Sequence, residues 1–248
     1  MVIHTMIFDL DGTLVQTERL KALSYARAAV ELCPQELREA DVVAAFGDVV
    51  GLSRREVAEA LVARFGLAEK AEARMDELGA ATGWQSYVQL RLRIYESMLA
   101  DPAVIRDNQW PHNMALLQAA RRNCRYVALA TMSHCDQARR VLSVLGLEDT
   151  FDFVATRDDV EHGKPDPEIY RLVAQQLNVE PAECLVVEDS PAGVRAALAA
   201  GMQVMAVSTP FTRQPLRAAG LLPAERIVDE PEQVAAVAAE IIRQSKIQ

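Results

Sequence analysis

The stretch Ile7-Phe8-Asp9-Leu10-Asp11-Gly12-Thr13 decides the reading of this chain. A short apolar run, Met6 to Phe8, ends in two aspartates one residue apart, and glycine follows at once. Alternate residues of a strand share a face, so Asp9 and Asp11 start out on one side. Gly12 permits a sharp turn, because glycine reaches positive φ without a Cβ penalty. Two carboxylates about 4 Å apart repel by roughly 4 kcal/mol at an effective dielectric of 20. A fold that accepts this needs a cation, a shared proton, or both. An ordinary strand closing in an Asp-Gly turn would show the same letters. The rest of the chain has to separate the two.

With 248 residues the chain can hold one large α/β domain, or a core with a smaller inserted module. A formal net charge of −9 argues against nucleic acid or an anionic membrane as the main partner. The four cysteines (Cys33, Cys124, Cys135, Cys184) form no CxxC pair, so neither a disulfide framework nor a zinc site is indicated. The N-terminus carries no basic segment ahead of an apolar one, and no run of about 18 apolar residues occurs. The expected setting is the cytoplasm.

Residues 3–10 read as a strand. Apolar residues at helical spacing (Leu20, Leu23, Ala26, Ala29, Val30) then predict a helix over 17–30. Further helices are expected over 36–46, 53–65, 68–79 and 84–99, so 15–100 reads as all-helical. Asp101-Pro102 marks a break, since the residue before proline avoids helix. From about residue 104 short apolar runs alternate with helices. Strands are expected at 125–131, 151–156, 184–187, 204–207 and 226–228, with helices at 112–123, 134–145 and 231–245 and two more opened by Asp166-Pro167 and Ser190-Pro191. This alternation means βαβ units and a parallel sheet covered on both faces. The first strand belongs with that part, so the helical block is an insertion: an α/β core over 1–14 and 105–248, and a helical domain over 15–104, with a cleft expected between them.

In such a sheet, ligands bind outside the carboxyl ends of the strands. Those ends carry Asp9 and Asp11, then Thr131-Met132-Ser133, the loop Gly163-Lys164-Pro165-Asp166-Pro167, and Glu188-Asp189-Ser190. Singly, each has a structural explanation: a helix cap, a solvated lysine. Jointly, Asp9, Glu188 and Asp189 would destabilise the fold unless Lys164 and a divalent cation balance them. Mg²⁺ fits, as a hard ion held by a few carboxylates and substrate phosphate oxygens.

The four segments DLDGT (9–13), ATMS (130–133), GKPDP (163–167) and VVEDSPAGVRAALAAGM (186–202) resemble, in this order, the haloacid dehalogenase-like (HAD) hydrolases. The likeness is to the branch with a helical cap inserted after the first motif, which includes sugar-phosphate phosphatases and β-phosphoglucomutase. It implies a Rossmann-like core and a Mg²⁺-dependent phosphatase for a small phosphorylated metabolite. Asp9 would be the nucleophile and form an aspartyl-phosphate, and Asp11 the acid/base. Asp9, Asp11 (through its carbonyl), Glu188 and Asp189 would hold Mg²⁺. Thr131 and Lys164 would hold the phosphoryl oxygens, and Thr13, Ser133, Arg54 and Arg91 would contact substrate. A monomer or homodimer is implied. Dehalogenases of this family carry tyrosine at the Asp11 place and phosphonate-cleaving members alanine, so both chemistries are disfavoured. Arg54, in Gly51-Leu52-Ser53-Arg54, matches the mutase arginine that touches the distal phosphate. Gln16 and Lys21 depart from the mutase pattern, as Asn108-Gln109-Trp110-Pro111-His112 departs from the usual Pro-x-x-Gly turn. The open question is the phosphoryl acceptor: water, or a sugar as in a phosphomutase. A binding protein without turnover is the reading from a different class.

Overall fold

A computed structural model describes residues 2–50 and 52–246. The chain forms two compact units, residues 1–16 with 105–248, and residues 17–104.

The first unit opens with β1 (Thr5–Phe8), all four residues buried. In the second unit the helices are α1 (Thr17–Leu32), α2 (Glu39–Phe46), α3 (Arg54–Arg64), α4 (Ala68–Glu72), α5 (Met75–Leu78) and α6 (Gly83–Ala100). A short α7 (Pro102–Arg106) spans the return to the first unit. There follow α8 (Pro111–Asn123), β2 (Tyr126–Ala130), α9 (Cys135–Leu145), β3 (Phe153–Ala155), α10 (Glu168–Leu177), β4 (Cys184–Glu188), α11 (Pro191–Ala199), β5 (Gln203–Val207), α12 (Arg213–Ala219), β6 (Ile227–Val228) and α13 (Val234–Ser245).

The six strands form one parallel sheet in the order β3-β2-β1-β4-β5-β6. Strand β1 lies between β2 and β4, with Phe8 opposite Leu129 on one side and Val187 on the other. The chain builds outward from β1 to β3, then crosses back to start β4 on the far side. That reversal is the topological switch point at which open α/β sheets bind ligands. One face of the sheet (Ile7, Ala128, Ala130, Val186, Val204, Ala206) packs against Ile169, Tyr170 and Val173 of α10 and Val194 and Ala197 of α11. The alternate residues point the other way, toward the side on which α8 and α13 pack against β2, β5 and each other. Each fully buried aliphatic contributes roughly 1.5–3 kcal/mol, and these runs are buried on both faces.

In the helical unit α6 is the centre, with α1, α3, α4 and α5 packed on it. Tyr87 of α6 is fully buried and donates its hydroxyl to the Tyr25 carbonyl at 2.8 Å. Among its described residues this unit contains no strand.

Several boundaries differ from those the sequence predicts. The expected helix over 68–79 is two short ones, divided where Arg74 leaves helical backbone geometry (φ −106°, ψ 11°), and the Arg74 side chain pairs with Glu31 and Glu77. Pro102 opens a short helix instead of only ending one. Helix α10 starts at Glu168, with Pro167 in the cap position and Asp166 Oδ1 accepting the Glu168 N–H at 2.9 Å. Ser190 does cap α11, accepting from Gly193 N–H, with Pro191 in the first turn. Helix α12, which contains Pro215 in its first turn, had no counterpart in the sequence reading.

Candidate active site

The carboxyl ends of β1, β2 and β4 set the positions of the polar side chains. Asp9 follows β1 directly and its N–H is still held by the Val187 carbonyl at 3.0 Å. The turn beyond it closes on itself: Gly12 N–H donates to Val15 O at 2.7 Å, and Leu14 and Val15 N–H both reach Leu10 O. Gly12 adopts φ +86°, and a Cβ there would lie 2.0 Å from Asp189 Oδ2. Glycine is required twice over at this point, by backbone hand and by the approach of a carboxylate. Gly193, inside α11, meets only the second demand: a Cβ there would lie 1.8 Å from Glu188 Oε1.

Asp9, Glu188 and Asp189 are all buried, and one carboxylate oxygen of each lies within 4.8 Å of the others. Lys164, 5% exposed at its side chain, reaches into this group and donates to Asp9 Oδ1 at 2.7 Å, Glu188 Oε1 at 2.6 Å and the Ala130 carbonyl at 3.0 Å. Burial pushes the Asp9 carboxyl up, to about 7; Lys164 opposes the rise, while Glu188 and Asp11 add to it. Burial pulls the Lys164 ammonium down, and Asp9 and Glu188 more than reverse this, so its pKa stands well above the ordinary lysine value. Three buried carboxylates face one ammonium. An oxygen-rich, electron-rich group of this kind suits a hard divalent cation, and the two glycines keep room at its edge.

The members of the group are not equivalent. Glu188 already accepts from five donors: Lys164 Nζ and the Tyr170 hydroxyl (2.8 Å) on Oε1, and Asp189 N–H, Ser190 N–H and Ser190 Oγ on Oε2. Tyr170, whose pKa burial and the Glu188 charge raise well above normal, stays a neutral donor. Glu188 thus anchors the lysine as well as belonging to the acidic cluster. Asp11 has a different set of partners. Its Oδ2 accepts from Ser133 Oγ at 2.6 Å and Thr131 Oγ1 at 3.1 Å, and Thr131 Oγ1 in turn accepts from Ser133 N–H at 3.0 Å.

The sequence therefore brings Asp9, Asp11, Thr131, Ser133, Lys164, Glu188 and Asp189 together at the carboxyl end of the sheet. In this structure Thr131 and Ser133 orient Asp11, a partnership the sequence reading did not foresee. Thr13, expected near substrate, is fully buried, and its Oγ1 has no hydrogen-bond partner. In the helical unit Arg54 is exposed at the first position of α3, behind the capping box of Ser53 and Glu56; Gly51 lies outside the described residues. Arg91 is 6% exposed, with its guanidinium 4.8 Å from the Tyr25 ring and 5.0 Å from the Tyr95 ring, and its Nε without a partner. Lys21 pairs with Glu18 at 2.7 Å. Two residues at the site escaped the sequence reading, Tyr170 and Asn113. Neither has a motif, and each acts through one long-range hydrogen bond.

The family model for haloacid dehalogenase-like hydrolases matches residues 3–201. The chain belongs to this family. It is 31% identical over 204 residues to a phosphorylated carbohydrates phosphatase from Thermotoga maritima, covering 81% of this chain and 82% of the relative. To a phosphoglycolate phosphatase from Rhodospirillum rubrum it is 33% identical over 219 residues, covering 88% and 84%. Among solved structures, a candidate β-phosphoglucomutase from Thermotoga maritima superposes with a TM-score of 0.68 at 28% identity, over 96% of this chain and all of that one. These likenesses fit the parallel sheet interrupted by a helical insertion after β1. Among the described residues, no helix is long and apolar enough to cross a membrane.

Proposed function

We propose that this HAD-like phosphatase hydrolyses a small phosphorylated metabolite, a sugar phosphate or an organic-acid phosphate, through an aspartyl-phosphate on Asp9 with Mg²⁺ as its cation. The observation that carries the reading is the division of labour between two aspartates on one strand end. Asp9 is desolvated and paired with Lys164. Asp11, near enough for its charge to raise the Asp9 carboxyl, accepts instead from the hydroxyls of Thr131 and Ser133.

In this account an Asp9 oxygen attacks phosphorus, and the bond from phosphorus to the ester oxygen breaks. Asp11 gives its proton to the departing oxygen, so an alcohol and not an alkoxide leaves. The Asp11 carboxylate then takes a proton from water as that water attacks phosphorus, which releases phosphate and restores Asp9. Lys164 holds phosphoryl oxygens while its other bonds to Glu188 and Ala130 O fix its position. Thr131 and Ser133 keep Asp11 aimed, and Ser133 is also a substrate contact. Asp9, Asp189 and the Asp11 carbonyl, with Glu188 beside them, would hold the cation. When bound, it supplies positive charge against the phosphoryl oxygens, the largest need of phosphoryl transfer. Thr13 supports the turn that presents these groups, and Arg54 and Arg91 are the proposed contacts to the remainder of the substrate.

The relatives named as phosphatases support this reading, and the Glu18–Lys21 pair, where the mutase has histidine, supports water as acceptor. A screen for inorganic phosphate release over sugar phosphates and organic-acid phosphates, with Mg²⁺ or EDTA, tests it. Release that needs Mg²⁺ is expected. An isomeric sugar phosphate as product would make the protein a mutase, and release untouched by EDTA would remove the cation from the account.

A further inference from the structure

The segment Asn108-Gln109-Trp110-Pro111-His112-Asn113 departs from the usual turn of its family, and the structure gives it a task at the catalytic strand end. It forms a strap along the loop that follows β1. Gln16 N–H donates to Asn108 O at 2.7 Å and Trp110 N–H donates to Leu14 O at 2.9 Å, and these two bonds make an isolated antiparallel bridge of Val15 with Gln109. Two side chains add to it: Gln16 Nε2 donates to the Gln109 carbonyl at 3.3 Å, and Asn113 Nδ2 to the Thr13 carbonyl at 2.6 Å. The two backbone bonds tolerate many side chains. The buried bond to Thr13, the one that holds the turn itself, depends on the amide of Asn113.

Asn113 is 4% exposed and sits in α8 beside buried Met114, Leu116 and Leu117, where an apolar residue would cost nothing in desolvation. A buried amide costs about 1–3 kcal/mol unless it is paired. Its partner carbonyl belongs to the turn that carries Asp11, in which Asp11 itself is bridged to Val15. Packing alone does not immobilise this turn. A cavity of about 20 Å³, room for one water, is lined by Gly12, Trp110, Asn113 and Ser208 among others, and the buried Trp110 Nε1 has no partner. Without the Asn113 bond, the turn has space in which to relax.

We infer that Asn113 is a positioning residue for Asp11: by holding the Thr13 carbonyl it fixes the height at which the Asp11 carboxyl meets the leaving oxygen. This rests on the reading of Asp11 as general acid. The test is a leaving-group series of aryl phosphates, from 2,4-dinitrophenyl to phenyl phosphate, run on the full chain with Mg²⁺. The value of kcat/KM covers the step in which the ester bond breaks. A departing dinitrophenolate needs no proton, and a departing phenolate does. A misplaced acid therefore penalises the second ester and spares the first, which a general loss of structure does not do. For Asn113→Leu, close in volume and unable to donate, kcat/KM on phenyl phosphate should fall roughly tenfold or more, against under about threefold on the dinitrophenyl ester; general acids contribute about 10²–10⁴-fold. Asn113→Ser, which opens the site instead of filling it, serves if Asn113→Leu does not fold. Equal losses on all esters, or none, overturn the role of Asn113. Asp11→Asn run in parallel should show the same pattern more strongly. If Asp11→Asn shows no leaving-group dependence, the acid assignment itself fails, whatever Asn113 does.

Discussion

Burial and charge oppose each other at Asp9, and Lys164 is the residue through which the site resolves the conflict. Its ammonium is shared between Asp9 and Glu188 at 2.7 and 2.6 Å, deep enough that water cannot replace it. Removing one partner of a buried ion pair costs about 3–5 kcal/mol, because the remaining charge is stranded. Lys164→Met should therefore lower the urea midpoint by a corresponding amount without Mg²⁺, recover part of the loss when Mg²⁺ is added, and stay inactive. A midpoint equal to the parent's would mean that the lysine does not balance these acids. At this scale the sequence was informative about identity and silent about partnership. Asp9, Asp11, Lys164, Glu188 and Asp189 stand at strand ends that the apolar runs mark. That Thr131 and Ser133 turn to Asp11, or that Tyr170 donates to Glu188 from eighteen residues upstream, depends on helix and loop geometry that no spacing encodes.

At the scale of elements, two glycines let two carboxylates touch the backbone. Gly12→Ala adds strain at φ +86° and a contact of 2.0 Å with Asp189, and Gly193→Ala drives a methyl into Glu188 at 1.8 Å. Overpacking of this kind costs roughly 1–3 kcal/mol. Gly193→Ala should lose at least that in chemical denaturation and at least tenfold in activity; near-parental values would show that Glu188 is free to move. A second junction lies at the ends of β5 and β6. There Asp229 accepts from Ser208 Oγ at 2.6 Å and pairs with Arg217 and, at 3.5 Å, Arg213. Burial alone would raise the Asp229 carboxyl; the bonds from Ser208 and Arg217 outweigh it and hold the pKa below the usual range. Because the folded value is depressed, its stabilisation is full above the ordinary carboxylate pKa, about 3.9, and is lost as the pH falls through the folded value. Asp229→Asn should thus be less stable than the parent at pH 7, with the gap narrowing as the pH falls below the ordinary carboxylate pKa. A gap independent of pH contradicts this.

All six strands were legible because each is a short apolar run closed by polar residues, though the ends moved by a residue or two. Pairing sets those ends: Asp152 lies outside β3 because its carboxylate and its N–H both turn to Val127. The short helices were harder. Helix α12 has seven residues and a proline, too few for a period to show.

For the molecule as a whole, the balance of charge predicts how it answers to metal. The folded core presents the acidic cluster preassembled, and the unfolded chain does not, so a cation that binds the cluster stabilises the fold by mass action. At one hundred times its dissociation constant this is about 2.7 kcal/mol, which in a protein of this size raises the melting temperature by roughly 5–10 °C. Mg²⁺ should produce such a rise, EDTA should reverse it, and Asp189→Asn should abolish it. An unchanged melting temperature across millimolar Mg²⁺ would place the cation elsewhere or nowhere.

In the proposed mechanism Asp9 carries the phosphoryl group. The most direct measurement is to quench the enzyme during turnover of its preferred phosphate ester, reduce with borohydride and sequence the N-terminal peptide by mass spectrometry. Borohydride converts an aspartyl-phosphate to homoserine and leaves an ordinary aspartate alone. Homoserine at position 9, absent without substrate and absent in Asp9→Asn, is the predicted result. Steady turnover with position 9 unchanged, or homoserine at position 11, would contradict the account.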